Sequence, residues 1–222
     1  MTPAPRGFLS LACIIVLTAC GGSSTAPMTT TTVPLGGNRP PVVTSVTVDP
    51  PFGIQDKTQV RFSAGVTDPD GDPLTYAWSI GGGSFTGSTV VITFVTGGAL
   101  TASVTVSDGR GGAATGSQTF VVGTLAGVWA GTAAGLGKFT MTLTQTNGEI
   151  TGTYTDLDGP AEVGPPGARG TIDASGQVEL PTEQAPGTVF TLRGPMDPSG
   201  RRITGGFFGA GFTGESFTMD KQ

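Results

Sequence analysis

The sequence predicts an all-β protein, in which a β-sandwich is followed by an antiparallel up-and-down β-barrel. Three observations support this fold class. The 222 residues include 38 Gly and 17 Pro, and only 12% are charged, which favours many turns and short strands. Apolar and polar residues alternate with period two through two long stretches, as in strands with one buried face. Turn sequences rich in Gly, Pro and Asp separate the alternating runs.

The first alternating stretch, residues 42–123, predicts the sandwich. Residues 60–66 and 100–106 place small or apolar side chains on one face and polar side chains on the other. Strands are predicted near residues 43–49, 58–66, 73–80, 88–95, 100–107 and 115–122. So many short strands separated by turns are typical of an antiparallel sandwich, and we expect Trp78 in its core.

The second stretch, residues 125–222, predicts the barrel. Residues 138–145 alternate as a strand, Asn147-Gly148 is a favoured two-residue hairpin turn, and residues 149–156 form the return strand. A meander of roughly eight such strands hides its edges most easily by closing on itself. The large apolar side chains expected to fill the interior are Phe139, Met141, Leu143, Tyr154, Phe190, Leu192, Phe207 and Phe217. A small apolar ligand inside the barrel is the alternative use of these side chains, and the sequence identifies no ligand-binding residue.

The N-terminus carries an export signal. Arg6 precedes an apolar run at residues 8–19, which is shorter than the roughly 20 residues that a membrane-spanning helix needs. Leu17-Thr18-Ala19-Cys20 resembles the cleavage site of a bacterial lipoprotein signal peptide. This resemblance implies that residues 1–19 are removed and that Cys20 is lipidated. It also implies a lipid anchor in the bacterial cell envelope, at the outer membrane or cell surface. An ordinary secretory signal is the alternative.

The segment after the signal predicts a flexible tether. Residues 20–41 combine the lipidated Cys with a mixture of Thr, Ser, Pro and Gly that contains almost nothing able to build a core. The other cysteine, Cys13, leaves with the signal peptide, so no disulfide framework is expected. Stability must then come from packing, with or without help from a metal ion.

Two motifs in the sandwich resemble known modules. DPDGDPLTYAW at residues 68–78 and ASVTVSDGRGG at residues 102–112 are similar to the polycystic-kidney-disease (PKD) and cadherin-like families of bacterial immunoglobulin-like modules. The resemblance covers about residues 38–122. It implies an immunoglobulin-like sandwich that acts as a spacer, an adhesion module or a carbohydrate-contacting accessory. Some members of these families bind Ca²⁺.

The aspartates of these motifs fit two interpretations. The turn with Asp68, Asp70 and Asp72 is expected at the same end of the sandwich as Asp108, and Ca²⁺ prefers such carboxylate and carbonyl oxygens. Four carboxylates brought together also call for a positive counterion. Asp-Pro and Asp-Gly are equally good turn formers without any metal, so a purely structural turn is the other interpretation.

A weaker resemblance concerns the start of the barrel. Gly127-Val128-Trp129 is similar to the Gly-x-Trp sequence that opens lipocalin-like barrels, where the Trp lies at the closed end. The resemblance implies a small lipocalin-like barrel with Trp129 buried at one end.

The inventory of side chains argues against several functions. Without His there is no Ser-His-Asp or Cys-His arrangement, so we expect no enzyme. The net charge of −5 and the scattered Lys and Arg make nucleic acid a poor partner. We therefore expect a non-enzymatic, lipid-anchored surface protein for adhesion or partner binding, with calcium as its candidate cofactor. The alternatives are a carrier of a small apolar ligand and a carbohydrate-binding accessory module.

Overall fold

The computed structural model describes residues 37–158, 170–185 and 188–222. These residues form β-strands and turns, with no helix among them. The predicted signal peptide, Cys20 and most of the tether therefore lie outside the described residues, as do residues 159–169 of the long loop in the barrel. The described residues also hold no apolar helix long enough to cross a membrane.

The first half contains eight strands that pack as two sheets. The strands are Val42–Asp49 (β1), Phe52–Ile54 (β2), Gln59–Thr67 (β3), Thr75–Ile80 (β4), Gly83–Thr86 (β5), Thr89–Thr93 (β6), Gly98–Ser107 (β7) and Ala113–Gly123 (β8). One sheet has the order β1-β3-β6 and the other has the order β2-β8-β7-β4-β5. Every pairing is antiparallel except that of β2 with β8. The predicted sandwich is confirmed.

The core of the sandwich is built around aromatic rings. Phe62 is fully buried, and its ring centroid lies 5.1 Å from that of Phe120 and 6.4 Å from that of Trp78. Phe94 contacts both Phe62 and Phe120. Alternate residues of β3, β4, β7 and β8 supply most of the remaining apolar side chains, as the period-two pattern predicts, and β1 and β6 add Val48 and Val90.

Across β4, β5, residues 101–107 of β7 and residues 113–119 of β8, the outer face of the five-stranded sheet carries no charged or large side chain. It consists of hydroxyl-bearing residues and alanines, which are paired rung by rung across β8, β7, β4 and β5. One rung contains four serines, Ser117, Ser103, Ser79 and Ser84, and all four are exposed. We call this the hydroxyl face; its exposed members are Thr75, Ala77, Ser79, Ser84, Thr86, Thr101, Ser103, Thr105, Ala113, Thr115, Ser117 and Thr119.

The second half is a single antiparallel sheet of eight strands. They are Gly127–Ala133 (β9), Gly137–Thr146 (β10), Glu149–Asp156 (β11), Thr171–Ile172 (β12), Gln177–Ala185 (β13), Thr188–Pro195 (β14), Arg202–Gly209 (β15) and Phe212–Lys221 (β16). The order β11-β10-β9-β16-β15-β14-β13-β12 brings the first and last strands round to each other. The Gly170 N–H donates to the Ile150 carbonyl at 2.9 Å across this seam. The sheet is thus a nearly closed barrel, as predicted.

Two glycines let neighbouring barrel strands approach closely. A Cβ on Gly205 would overlap the carbonyl of Arg193, and a Cβ on Gly194 would overlap the carbonyl of Thr204. At the β10–β11 turn, Asn147 and Gly148 have φ of 51° and 77°, the conformation that the Asn-Gly pair predicts.

A corner of the sandwich enters the barrel. Ile54, at the end of β2, is 1% exposed and packs in the barrel core together with Leu125 and Met196. The neighbouring Gln55 is 5% exposed, and its carbonyl accepts from Gln145 Nε2 at 3.1 Å. The Gln145 Oε1 in turn accepts from the Leu125 N–H at 2.8 Å. We call this contact, made by residues 54–56 with residues 123–125, 145 and 148, the joint.

Candidate functional site

The turn between β3 and β4 gathers three carboxylates. Asp68, Asp70 and Asp72 each place an oxygen within 4.8 Å of the others. The turn forms because Asp68 Oδ1 accepts from the backbone N–H of Asp70 at 2.9 Å and of Asp72 at 3.0 Å. Gly71 supplies the positive φ of 73° that this turn requires. We call this segment the aspartate loop.

Two arginines supply positive charge to the aspartate loop. Arg39 donates to Asp70 Oδ1 from Nε at 2.9 Å and from Nη2 at 2.7 Å, while its backbone N–H donates to Oδ2 at 2.7 Å. Hydrogen bonds from the Arg39 side chain hold the pKa of Asp70 below its usual value. Arg110 Nε lies 2.9 Å from Asp72 Oδ1. The like-charge repulsion that the sequence analysis identified is therefore offset in part by side chains.

Two carboxylate oxygens of the aspartate loop lack a partner. Asp68 Oδ2 and Asp72 Oδ2 are buried and accept no hydrogen bond within the part of the chain that the structure describes. The Asp72 side chain as a whole is 7% exposed. Because a buried polar atom without a partner is unfavourable, these two oxygens fit a bound cation chemically.

Asp108 lies outside this group of three. Its Oδ2 accepts from Asn38 Nδ2 at 2.6 Å, and its Oδ1 accepts from the N–H groups of Arg110 at 2.8 Å and Gly112 at 2.9 Å. The Asn38 side chain contributes most to lowering the pKa of Asp108. Asn38 therefore contacts Asp108 through its amide nitrogen, which is a donor and not one of the oxygen ligands that Ca²⁺ prefers.

The arginines that contact the aspartate loop were not predicted from the sequence. Arg39 is 31 residues from Asp70 in sequence, so only the folded chain reveals the pair. Arg110 carried a detectable signal, because it follows Asp108 in a turn already expected beside the aspartate loop. Of the predicted site residues, Cys20 lies outside the described part of the chain.

The barrel interior contains all eight side chains predicted to fill it. Phe139, Tyr154, Phe190, Phe207 and Phe217 form a connected set of ring contacts with centroids 5.2–6.0 Å apart, to which Phe212 adds a partly buried ring. Trp129 is fully buried, and its Nε1 donates to the Leu125 carbonyl at 2.8 Å beside the joint.

Tyr154 is the exception in this apolar interior. Its side chain is buried, and its hydroxyl has no hydrogen-bond partner among the described residues. Burial, with a smaller contribution from the charge of Asp156, raises the pKa of Tyr154 to about 12.

Comparison with known proteins relates the sandwich to a known domain family. Residues 38–123 match the family model described as PKD domain. The crystal structure of the PKD1 domain of Vibrio anguillarum Epp is 27% identical, covering 38% of this chain and 95% of that chain with a TM-score of 0.32. No curated protein matches the chain.

Two further solved structures are similar over a longer span. One is a structure described as the basis for the promiscuous specificity of carbohydrate-binding modules from the β-sandwich superfamily. It is 16% identical to this chain and covers 83% of this chain and 92% of that chain, with a TM-score of 0.36. The other is a quinonprotein alcohol dehydrogenase-like protein from Bacteroides thetaiotaomicron VPI-5482. It is 11% identical to this chain, and the match covers 69% of this chain and 47% of that chain with a TM-score of 0.30. The family match and the observed sheets make the N-terminal half an immunoglobulin-like PKD domain, in agreement with its two motifs.

Proposed function

We propose that the protein is a non-enzymatic surface module of the bacterial cell envelope that is anchored by lipid at Cys20 and acts in adhesion or partner binding. The PKD domain would serve as a stalk and the barrel as the element that it carries. The sequence Leu17-Thr18-Ala19-Cys20 supports the anchor. The match of residues 38–123 to the PKD family supports the stalk.

The observation that carries this proposal is the joint. Ile54 belongs to the sandwich by sequence but to the barrel core by packing. Polar contacts surround it, including the Gly148 N–H donating to Asp56 Oδ2 at 3.0 Å and Gln55 N–H donating to the Gly123 carbonyl at 2.9 Å. A domain pair that shares core residues and buried hydrogen bonds holds one orientation, which suits a protein that presents a surface at a distance.

The hydroxyl face favours a neutral partner. Hydrogen-bonding groups without charge pair best with an uncharged polar surface, which could belong to a protein or a carbohydrate. For the carbohydrate alternative, Trp78 and Trp129 are both buried in domain cores and so provide no exposed stacking platform. The hydroxyl face would then have to bind sugars through hydrogen bonds alone.

The experiment compares bacteria that express the full chain with bacteria that express Cys20→Ser. We expect the wild-type chain in the membrane fraction and the variant in the soluble fraction, because acyl chains contribute about 0.8 kcal/mol per buried CH₂. Attachment of the cells to a surface should fall with the loss of the anchor. Membrane association that persists in Cys20→Ser contradicts the anchor, and unchanged attachment contradicts the adhesive role. Ser79→Lys, on the hydroxyl face, leaves the anchor intact and should reduce attachment if that face makes the contact.

We further propose that the aspartate loop binds calcium through Asp68 and Asp72. The unpartnered, buried oxygens of these two residues support this proposal. Asp70 would stay with Arg39, which already occupies both of its oxygens. A bound ion would neutralise carboxylates that the two arginines leave partly uncompensated and would stabilise the turn.

Asp68→Asn is the informative variant for calcium. Its amide oxygen can still accept the two backbone hydrogen bonds of the turn, whereas the charged second oxygen is lost. We expect calcium to raise the melting temperature of the wild-type protein and to have little effect on the variant. Asp49→Asn, at the opposite end of β1, is the matched control. An equal response to calcium in wild type and Asp68→Asn, or no response in either, would refute calcium binding at this loop.

A further inference from the structure

The turn between β10 and β11 places a chemically labile side chain on the surface. Asn147 is exposed, and Gly148 follows it with no side chain to hinder an approach to its backbone nitrogen. Asparagine amides are labile because the backbone nitrogen of the next residue can attack the side-chain carbonyl carbon. The chain contains one other asparagine, Asn38, and the bulky Arg39 follows it. Asn147 is therefore the asparagine at which such an attack is least obstructed.

A carboxylate from the sandwich contacts the nitrogen that would attack. The Gly148 N–H donates to Asp56 Oδ2 at 3.0 Å, although the two residues are 92 positions apart in the chain. Asp56 is itself held in place, because its N–H donates to the Phe94 carbonyl at 2.8 Å and Gln55 Nε2 donates to its Oδ2 at 3.3 Å. A carboxylate that accepts a hydrogen bond from an N–H group is positioned to accept the proton of that group.

A positive charge lies beside the same peptide unit. A Cβ placed on Gly148 would lie 2.7 Å from Lys57 Nζ, so the ammonium group is close to this glycine. A nearby cation favours the negatively charged form of a group, here the nitrogen that gives up its proton. The joint thus brings a base and a neighbouring cation from the sandwich to an Asn-Gly turn of the barrel.

We propose that Asn147 is a modification site at which the folded chain removes its own side-chain amide, with Asp56 as the base. The Gly148 nitrogen gives its proton to Asp56 Oδ2 and bonds to Cγ of Asn147. The bond from Cγ to the amide nitrogen breaks, and that nitrogen takes the proton and leaves as ammonia. Water then opens the cyclic imide at either carbonyl, which gives aspartate or isoaspartate. Every step is an acyl transfer, so water is the only co-reactant.

The modification changes the joint. The product carries a carboxylate next to Gly148, where the neutral amide of Asn147 stood, and this negative charge disfavours the hydrogen bond from Gly148 to the carboxylate of Asp56. Isoaspartate also lengthens the main chain by a carbon in a two-residue turn, directly before the ladder that begins with Thr146 and Glu149. The joint therefore holds the two domains less firmly in older molecules than in new ones.

The test follows both asparagines by peptide mass spectrometry while the purified protein is incubated at neutral pH in water enriched in heavy oxygen. Heavy oxygen enters a side chain only when water opens an imide, so it marks amides that are lost during the incubation. We expect it at residue 147. Asn38, whose amide donates to Asp108, should keep its amide and serves as the internal control.

Asp56→Asn is the decisive variant, because its amide oxygen can still accept from the Gly148 N–H but is no base. It should slow the reaction at residue 147 by about tenfold or more, since a positioned acid or base contributes on the order of 10²-fold. Asp49→Asn, an exposed change elsewhere in the sandwich, is the matched control and should leave the rate unchanged. Lys57→Gln alters an exposed side chain, should also slow the reaction, and decides the matter if Asp56→Asn does not fold.

Urea separates this effect from the general lability of an Asn-Gly sequence. Unfolding removes the contact with Asp56, so the wild-type chain and Asp56→Asn should lose the amide of Asn147 at the same rate in concentrated urea. Three results would overturn the proposal: no heavy oxygen at residue 147 of the folded wild type, an unchanged rate in folded Asp56→Asn, or a difference between the two chains that persists in urea.

Discussion

Replacing Ile54 with alanine tests whether the sandwich and the barrel share one core. The side chain is almost fully buried, and it is contributed by β2 to the apolar cluster of the barrel. Three buried carbons are lost, which lowers the free energy of unfolding by about 2.4 kcal/mol at about 0.8 kcal/mol each. The cavity left behind adds to this cost, and buried Ile→Ala changes fall in a range of about 2–5 kcal/mol.

The two tryptophans allow the effect to be assigned to a domain. Trp78 lies in the sandwich core and Trp129 in the barrel core, so a Trp78→Phe background leaves fluorescence that reports on the barrel alone. In urea we expect the Trp129 transition of Ile54→Ala to move to lower denaturant. A loss of about 3 kcal/mol corresponds to a melting temperature lower by about 6–12 °C for a chain of this size.

The control is Val95→Ala, because Val95 is 72% exposed and its truncation should change the free energy of unfolding by less than about 0.5 kcal/mol. If Ile54→Ala leaves the Trp129 transition in place, Ile54 does not belong to the barrel core and the shared core is refuted.

Three further predictions concern the joint, the barrel wall and the aspartate loop. Gln145→Leu leaves the Leu125 N–H and the Gln55 carbonyl unpaired, and each unpaired group should lower the free energy of unfolding by about 1–3 kcal/mol. Urea denaturation measures this loss, and an unchanged midpoint would contradict it. Gly205→Ala should lower the melting temperature sharply, because its Cβ would overlap a neighbouring backbone, whereas Ala substituted at the open Gly37 should be neutral. Asp70 has a lowered pKa in the folded state, so its stabilising contribution is present above its ordinary pKa of 3.8 and is lost as the pH falls through the lowered value. Thermal melts from pH 7 to pH 2 should show a steeper acid decline in wild type than in Arg39→Gln, and parallel curves would refute the role of this pair.

The sequence predicted most of the fold because alternation with period two is a local signal. In the barrel, residues 138–145 and the Asn147-Gly148 turn are found as expected, and the whole set of predicted interior side chains is buried. The predicted sandwich strands also correspond to observed strands, with ends that differ by a few residues. The lipocalin-like character of the barrel stays a prediction.

What the sequence did not predict depends on contacts between distant residues. The short strands Phe52–Ile54 and Gly83–Thr86 were missed because three or four residues are too few to show alternation. The joint pairs Gln55 with Gln145, which are 90 residues apart. The counter-charges of the aspartate loop were missed for the same reason, since Arg39 reaches it only in the folded chain.

The position of Arg39 fixes the end of the sandwich at which the described chain begins. Arg39 is held at the aspartate loop and Asn38 at Asp108, and β1 then runs away from them to Asp49, a length of about 26 Å for eight residues. The joint lies beyond the far end of this strand. A pull applied through the residues before Gly37 would therefore act on the sandwich first and reach the barrel only through the joint. In a flow or adhesion experiment, the hydrogen bonds of Arg39 and Asn38 would be the first contacts to carry load.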